Sequence, residues 1–437
     1  MLPTARSRIS GRISQRRISK QLLTSMAALL LVAACGSSST SSGGSGNIKT
    51  DSSGHVSYGV LSCFTGSLAV LGQAMLQGSQ VAQKVINDSG GVLGKQLDLS
   101  HADTQCDEAD AVPAVRQLLA SDNVSGIIGP ETQEIAAVSP IVSAAKIPTE
   151  FQGGSTAFDK NTNQYLWRDS PSDSQLGVAM ALYAHQKGYH TAALLFSTDI
   201  AQQTIPKPIT ATWTKFGNTI VSNVTVAPAQ TSYRAEVQGI ISAHPDVIFT
   251  QLDPQTAAVV FQNFKELDNL AIPIVGTDVT SGNDYLKAIT YPIAHDHLIS
   301  VYGTNATGAA ADNFAAAFAT QNGANAQPIA GANYAYDAVI SLALAMDKAG
   351  TTDGPSVIGV MTQVTNPPGT PCDTYSDCYK GIKAGTKIKM DGSSGDLIFN
   401  QYQNVFGPYG AFQADATSGA ESQIQLLSAT DLAAATP

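Results

Sequence analysis

Residues 247–276 read VIFTQLDPQTAAVVFQNFKELDNLAIPIVG. A short β-branched run, Val247–Thr250, predicts a strand. A longer amphipathic run, Pro254–Leu267, predicts a helix, and Ile274–Gly276 predicts a second strand. The same rhythm extends upstream. Helix Arg234–Ala243 follows strand Ile220–Val226, and helix Gln202–Phe216 follows strand Ala192–Phe196, itself preceded by helix Ser174–Lys187. An earlier series holds strands Val56–Ser62, Leu97–Ala102, Ser125–Ile128 and Ile147–Phe151. Helices Gln73–Asn87, Ala109–Ser121 and Gln133–Ala145 lie between them. Alternation of this kind gives α/β architecture, a mostly parallel sheet with helices on both faces. Ligands in such sheets sit at the carboxyl ends of the strands. Two successive series predict two lobes with a cleft between them.

The N-terminus sets the location. Arg6, Arg8, Arg12, Arg16, Arg17 and Lys20 precede an apolar segment, Leu22–Ala34, with no acid among them. That is an export signal, too short to span a membrane, which takes about 20 apolar residues. Val32-Ala33-Ala34-Cys35 resembles a lipoprotein signal box, in which the chain is cut before the cysteine and the sulfur carries lipid. The other reading is a plain signal before an ordinary cysteine. Gly36–Gly46, GSSSTSSGGSG, is a flexible tether. Arg16-Arg17 leaves the export route, general or twin-arginine, open. The expected product is exported and lipid-anchored through Cys35 to the outer face of the cell membrane, or periplasmic.

Six of the 24 Lys and Arg stand in that signal, leaving 18 against 34 Asp and Glu, a net charge of −16. So acidic a surface argues against nucleic acid and anionic membrane as partners. Of five cysteines, four follow the signal, an even number that predicts two disulfides in an exported protein. The expected pairs are Cys372 with Cys378, closing a small surface ring, and Cys63 with Cys106. C-x5-C is not a zinc spacing. Catalysis is not expected. The chain has no G-x-S-x-G elbow, no H-E-x-x-H and no phosphate-binding G-x-x-x-x-G-K-[ST]. His295-Asp296-His297 lacks a third ligand and reads as a solvated loop. No cofactor and no metal are expected.

Several stretches carry a resemblance in their order and spacing. They are Val60–Gly66 (VLSCFTG), Asn87–Lys95 (NDSGGVLGK), Asp103–Asp107 (DTQCD), Ile127-Ile128-Gly129-Pro130, Ile147-Pro148, Trp167-Arg168-Asp169, Asp173–Gly177 (DSQLG), Tyr334–Ala338 (YAYDA) and Gly395–Asn400 (GDLIFN). Together they resemble the branched-chain amino acid (Leu/Ile/Val) binding proteins of ABC importers. The resemblance implies a two-lobed type I periplasmic-binding fold with three hinge crossovers. It implies a signal peptide over 1–34, a lipidated cysteine and tether over 35–54, lobe 1 over 55–169 plus 303–394, and lobe 2 over 170–302 plus 395–437. The implied function is a monomeric solute-binding lipoprotein. It takes a small polar solute, an amino acid first, into the cleft and presents it to a membrane permease and its ATPase. The alternatives are a ligand-sensing receptor module, or a binder of amides, urea, polyamines or aromatic acids.

The resemblance also implies site residues. Ser155 falls where the family uses a threonine hydroxyl, and Gly154 near a residue that uses backbone atoms; Ser155 capping the next helix is the other reading. Asp278 matches the family's ammonium-binding acid, or is a strand-end turn acid. Thr132 and Gln133 stand in for serines that would meet a solute carboxylate. Glu131 beside them is expected to be exposed at a helix start, where an acid is favourable. Leu71 and Ile200 occupy places where aromatic walls recur in the family, so the cleft is expected to have lost aromatic walls and become more polar.

Overall fold

The computed structural model describes residues 48–437 except 67, 305 and 306, and leaves the side chains of 200, 201 and 429 aside. The signal, Cys35 and the Ser/Gly tether lie outside the described residues.

The first sheet is parallel. It comprises β1 (Val56–Ser62), β2 (Leu97–Asp103), β3 (Gly126–Ile128), β4 (Thr149–Phe151) and β5 (Leu166–Arg168), in spatial order β2-β1-β3-β4-β5. All seven residues of β1 are buried, as a strand covered on both faces requires. On one face Val60 packs with Met75, Val81 and Ile86 of helix Ala69–Asp88 and with Val339 and Leu342 of helix Ala332–Ala349. On the other, Leu61 and Ile127 meet Val115, Leu118, Val138 and Val142 from helices Glu108–Ala120 and Ile135–Ala145.

The second sheet begins with β6 (Thr191–Ser197), β7 (Thr219–Val226), β8 (Val247–Gln251), β9 (Ile274–Gly276) and β10 (Leu298–Gly303). Helices Asp173–Gln186 and Pro206–Lys215 cover one face through Leu176, Met180 and Trp213. Helices Arg234–Ser242 and Pro254–Asp268 cover the other through Val237, Ile240, Val260 and Phe264. After β10 the chain returns to the first sheet through helices 309–322 and 332–349 and adds a short parallel pair, β11 (Thr370–Cys372) and β12 (Ile388–Met390). It then rejoins the second sheet as antiparallel β13 (Tyr409–Ala414) and β14 (Glu421–Leu427), giving the order β14-β13-β10-β9-β8-β6-β7.

The chain thus passes between the two sheets three times: after β5, after β10 and before β13. The first and third passages are bound together. Arg168 N–H donates to Gln403 O at 2.8 Å and Val405 N–H to Arg168 O at 3.1 Å. Trp167 meets Phe399 edge-on at 5.1 Å. Asp337, wholly buried, accepts from Ser393 N (2.8 Å), Ser393 Oγ (2.9 Å), Ser394 N (2.7 Å) and Ser394 Oγ (2.6 Å), pinning the start of the third passage to helix 332–349.

Three expectations need correction. The single helix expected over 202–216 is two, Ile200–Gln203 and Pro206–Lys215. Pro206 has no N–H to donate, and its ring would strike the carbonyl four residues back, so it starts a helix instead of continuing one. His295 and His297 lie in the last turn of helix Tyr291–His297, with His295 Nδ1 at 2.8 Å from Ala414 O, and not in a loop. Both disulfides form as paired, Cys63–Cys106 and Cys372–Cys378. The second is not a surface ring, because both its cysteines are buried in the core beside Tyr375.

Candidate functional site

A cavity of about 140 Å³ opens where the parallel strands of both sheets end, the place α/β folds reserve for ligands. The turn after β3 supplies Glu131, Thr132 and Gln133, and the turn after β4 supplies Gln152 and Gly154. The second sheet contributes Gln251 from the end of β8, Asp278 and Val279 after β9, and Tyr302 from β10. Asp173 enters from the N-terminus of helix 173–186, and Leu71 from the first turn of helix 69–88.

Local rules account for these placements. The chain leaves β3 at Gly129 with φ +103°, where a side chain would be strained. A Cβ there would also meet Leu61 O at 1.9 Å. Gly154 is small for a different reason: a Cβ would sit 1.9 Å from Asp173 Oδ1. The Asp173 carboxylate therefore lies directly against the Gly154 turn, while Asp173 N–H donates to Gly154 O at 2.8 Å. Thr277 Oγ1 donates to Gln251 Oε1 at 3.0 Å and accepts from Val279 N–H at 3.3 Å, which shapes the short turn carrying Asp278.

Five of the expected site residues line this cavity together: Leu71, Thr132, Gln133, Gly154 and Asp278. Ser155 does not line it. Its Oγ caps the short helix Thr156–Phe158 by accepting from Ala157 N–H at 3.4 Å. Ile200 opens helix Ile200–Gln203, and its side chain is outside the described set. Contrary to the expectation of an exposed acid, Glu131 is only 8% accessible and part of the cavity wall. Aromatic walls are not lost either. Tyr302, Tyr334 and Tyr409 line the cavity from elements other than the two loops where they were sought. Of these, Tyr302 is held by stacking on Phe412 at 3.9 Å. Asp173 and Gln152 also went unrecognised as wall residues. Asp173 could have been found, since it begins the DSQLG segment where the chain first passes between sheets.

The electrostatics are one-sided. Three carboxylates, Glu131, Asp173 and Asp278, share the cavity, and among the described residues none that line it is Lys, Arg or His. Burial, reinforced by Glu134, Asp278 and Asp173, pushes Glu131 up to about 8. Burial, with Asp278 nearby, pushes Asp173 up to about 7 against the opposing hydrogen bond from Thr204. Asp278 reaches the water of the cleft, yet the surrounding protein displaces enough solvent to raise it too. Desolvation and like charges both disfavour the ionised form. Arg168, 2% accessible, lies behind the Gly154 turn and donates to Gly154 O (3.3 Å), Ser155 O (3.0 Å) and Asp159 Oδ1 (2.6 Å), while its Nε has no partner and its charge partly opposes the rise at Asp173.

Comparison with known proteins agrees with this geometry. A family model described as periplasmic binding protein matches residues 56–381. Leu/Ile/Val-binding protein homolog 7 of Brucella abortus is 33% identical over 116 residues, 26% of this chain and 28% of that protein. The match therefore spans under a third of that curated relative's length. The leucine binding protein LivK from Thermotoga maritima superposes with a TM-score of 0.73 over 86% of this chain and 99% of its own, at 18% identity. A solute-binding protein of an ABC transporter from R. palustris, solved with benzoate, superposes with a TM-score of 0.70 over 86% and 97%, at 16% identity. At these identities the likeness is one of fold, the type I periplasmic-binding fold.

Proposed function

Because the chain belongs to the periplasmic binding protein family, we propose that it is an extracytoplasmic solute-binding protein that captures a small amine-bearing polar solute, an amino acid first. It would hold the solute between its two lobes and deliver it to the permease and ATPase of an ABC importer. The observation that carries the reading is the cavity at the strand ends of both sheets, with wall residues from each. In this reading Asp278 receives the solute's ammonium group. Thr132, Gln133 and the Gly154 backbone meet its polar end, and Leu71 with Tyr334 packs its carbon skeleton. A bare aromatic acid fits less well, because its carboxylate would enter a wall of three acids with no cation to meet it.

The three passages between sheets would serve as the hinge of closure, the lobes being 55–169 with 303–394 and 170–302 with 395–437. Cys35 would hold the protein at the outer face of the membrane through a lipid. Among the described residues no helix is long and apolar enough to cross a membrane. The wild-type protein should partition with membranes, and Cys35→Ser should release it without changing solute binding. Retention of the variant would overturn the anchor.

The test is a thermal-shift panel on protein refolded free of carried-over solute, with the twenty amino acids, amides, urea, polyamines and aromatic acids. A solute at 100 times its Kd should stabilise the fold by about 2.7 kcal/mol. A panel with no shift, or turnover of any compound lost on mutating a cavity residue, would sink the reading.

A further inference from the structure

Resting on the solute-binding reading above, we infer that the natural solute carries two protonated amine nitrogens joined by a short carbon chain, as in a diamine or a basic amino acid. The cavity wall holds three carboxylates, placed by separate elements: Glu131 after β3, Asp173 at the start of helix 173–186 and Asp278 after β9. A neutral zwitterion such as leucine would bring one positive nitrogen to three acids, and would add a fourth carboxylate. Two ammonium groups can pair with two of these acids at once, through charge-assisted hydrogen bonds.

An independent observation points the same way. Gln133 is 8% accessible, lines the cavity, and its Oε1 accepts from no donor. A buried acceptor without a donor is costly to leave unmade, and an ammonium N–H supplies what it lacks. Among the described residues one buried donor in the wall, Gln152 Nε2, also lacks a partner; it suits the carboxylate of a basic amino acid and is not required by a diamine. The Arg168 guanidinium, held by Asp159 and two carbonyls behind the Gly154 turn, does not line the cavity, and although it favours the ionised form of Asp173, burial still raises that acid. Tyr302, Tyr334 and Tyr409 offer ring surface to an alkylammonium chain, a favourable contact for a cation.

The test uses the refolded full-length chain and isothermal titration with putrescine, L-lysine, L-leucine and benzoate. Putrescine or L-lysine should bind at least tenfold more tightly than L-leucine and benzoate. Titration in two buffers of different ionisation heat should show proton release on binding. L-lysine without putrescine identifies a basic amino acid, and the reverse a diamine. Asp173→Asn should weaken the bound cation at least tenfold while leaving the circular dichroism unchanged. Glu131→Gln is the second variant should Asp173→Asn fail to fold. Tighter binding of L-leucine or benzoate would overturn the inference and leave the solute-binding reading standing. No heat from any of the four would overturn the inference; only a silent thermal-shift panel would take the wider reading with it.

Discussion

Two sets of ionisable side chains, Arg168 and Asp337 along the passages between sheets and the acids of the cavity wall, are treated differently, although Asp169 next to Arg168 is buried with no donor on either oxygen. Behind the Gly154 turn, Arg168 is met by Asp159 and two carbonyls, and Asp159 is met in turn by Ser174 Oγ at 2.6 Å. Asp337 has four donors on its two oxygens. In the cavity, Glu131, Asp173 and Asp278 line one wall space with no Lys, Arg or His among the described lining residues, and Gln133 Oε1 has no donor. Burying a charge is unfavourable unless it is paired. Where the chain supplies the partner, the charge holds the fold together. In the cavity no cation of the wall meets the acids, and a ligand cation can; Asp169 and Glu150, away from the cavity, are instead pushed by burial toward their neutral forms.

The comparison can be broken most easily at Arg168. Arg168→Met removes the cation and strands Asp159 with the two carbonyls, and it should destabilise the protein by about 3–5 kcal/mol, read by denaturant unfolding. A loss under 1 kcal/mol would mean the pair is not structural. On the cavity side, Asp278→Ala should leave the unfolding curve nearly unchanged and weaken solute binding by about 1.5–3 kcal/mol, the worth of a charge-assisted hydrogen bond. Unchanged affinity would remove Asp278 from the site. Asp337→Asn turns one acceptor into a donor facing other donors, and should lower stability by about 1.5 kcal/mol with solute affinity barely moved. A variant that loses binding and keeps its stability would blur the division between the two regions.

The smallest expected effect is a pH profile. Burial raises Glu131 to about 8 and Asp173 to about 7 in the folded, ligand-free protein, above the ordinary carboxylate range of the unfolded chain. The folded state therefore holds more protons between those values. Stability from these groups is fully present below the unfolded pKa and is lost as pH rises through about 7 to 8. The ligand-free melting temperature should fall by a few degrees from pH 5 to pH 8.5, and the double variant Glu131→Gln, Asp173→Asn should flatten that fall. Glu150, Asp169, Asp337, Asp347 and Glu421 are raised by burial as well, so a residual slope is expected. No flattening would mean the cavity acids are already neutralised by the fold.

Much of this was legible along the chain. The β-branched and amphipathic runs mark most elements of both sheets, because burial on two faces of a strand and one face of a helix leaves a periodic trace. The cysteine count marks the two disulfides, and the ordered turns mark the family resemblance. The break at Pro206 is also written in the sequence, in a residue that cannot continue a helix. What stayed hidden has one cause. Glu131 looks like a helix-start acid, Asp173 like the first residue of a helix, and Tyr409 like a strand residue near the end of the chain. Nothing local says they face one cavity. By itself, the sequence determined most elements up to Gly276, their order and the disulfides, since each depends on neighbours a few residues away or on a simple count. The tertiary structure alone decided which acids share a wall, that three tyrosines from distant elements line it, and that Arg168 lies outside it, held by Asp159. Those facts depend on where two sheets bring the ends of their strands, and no short stretch of chain records that distance.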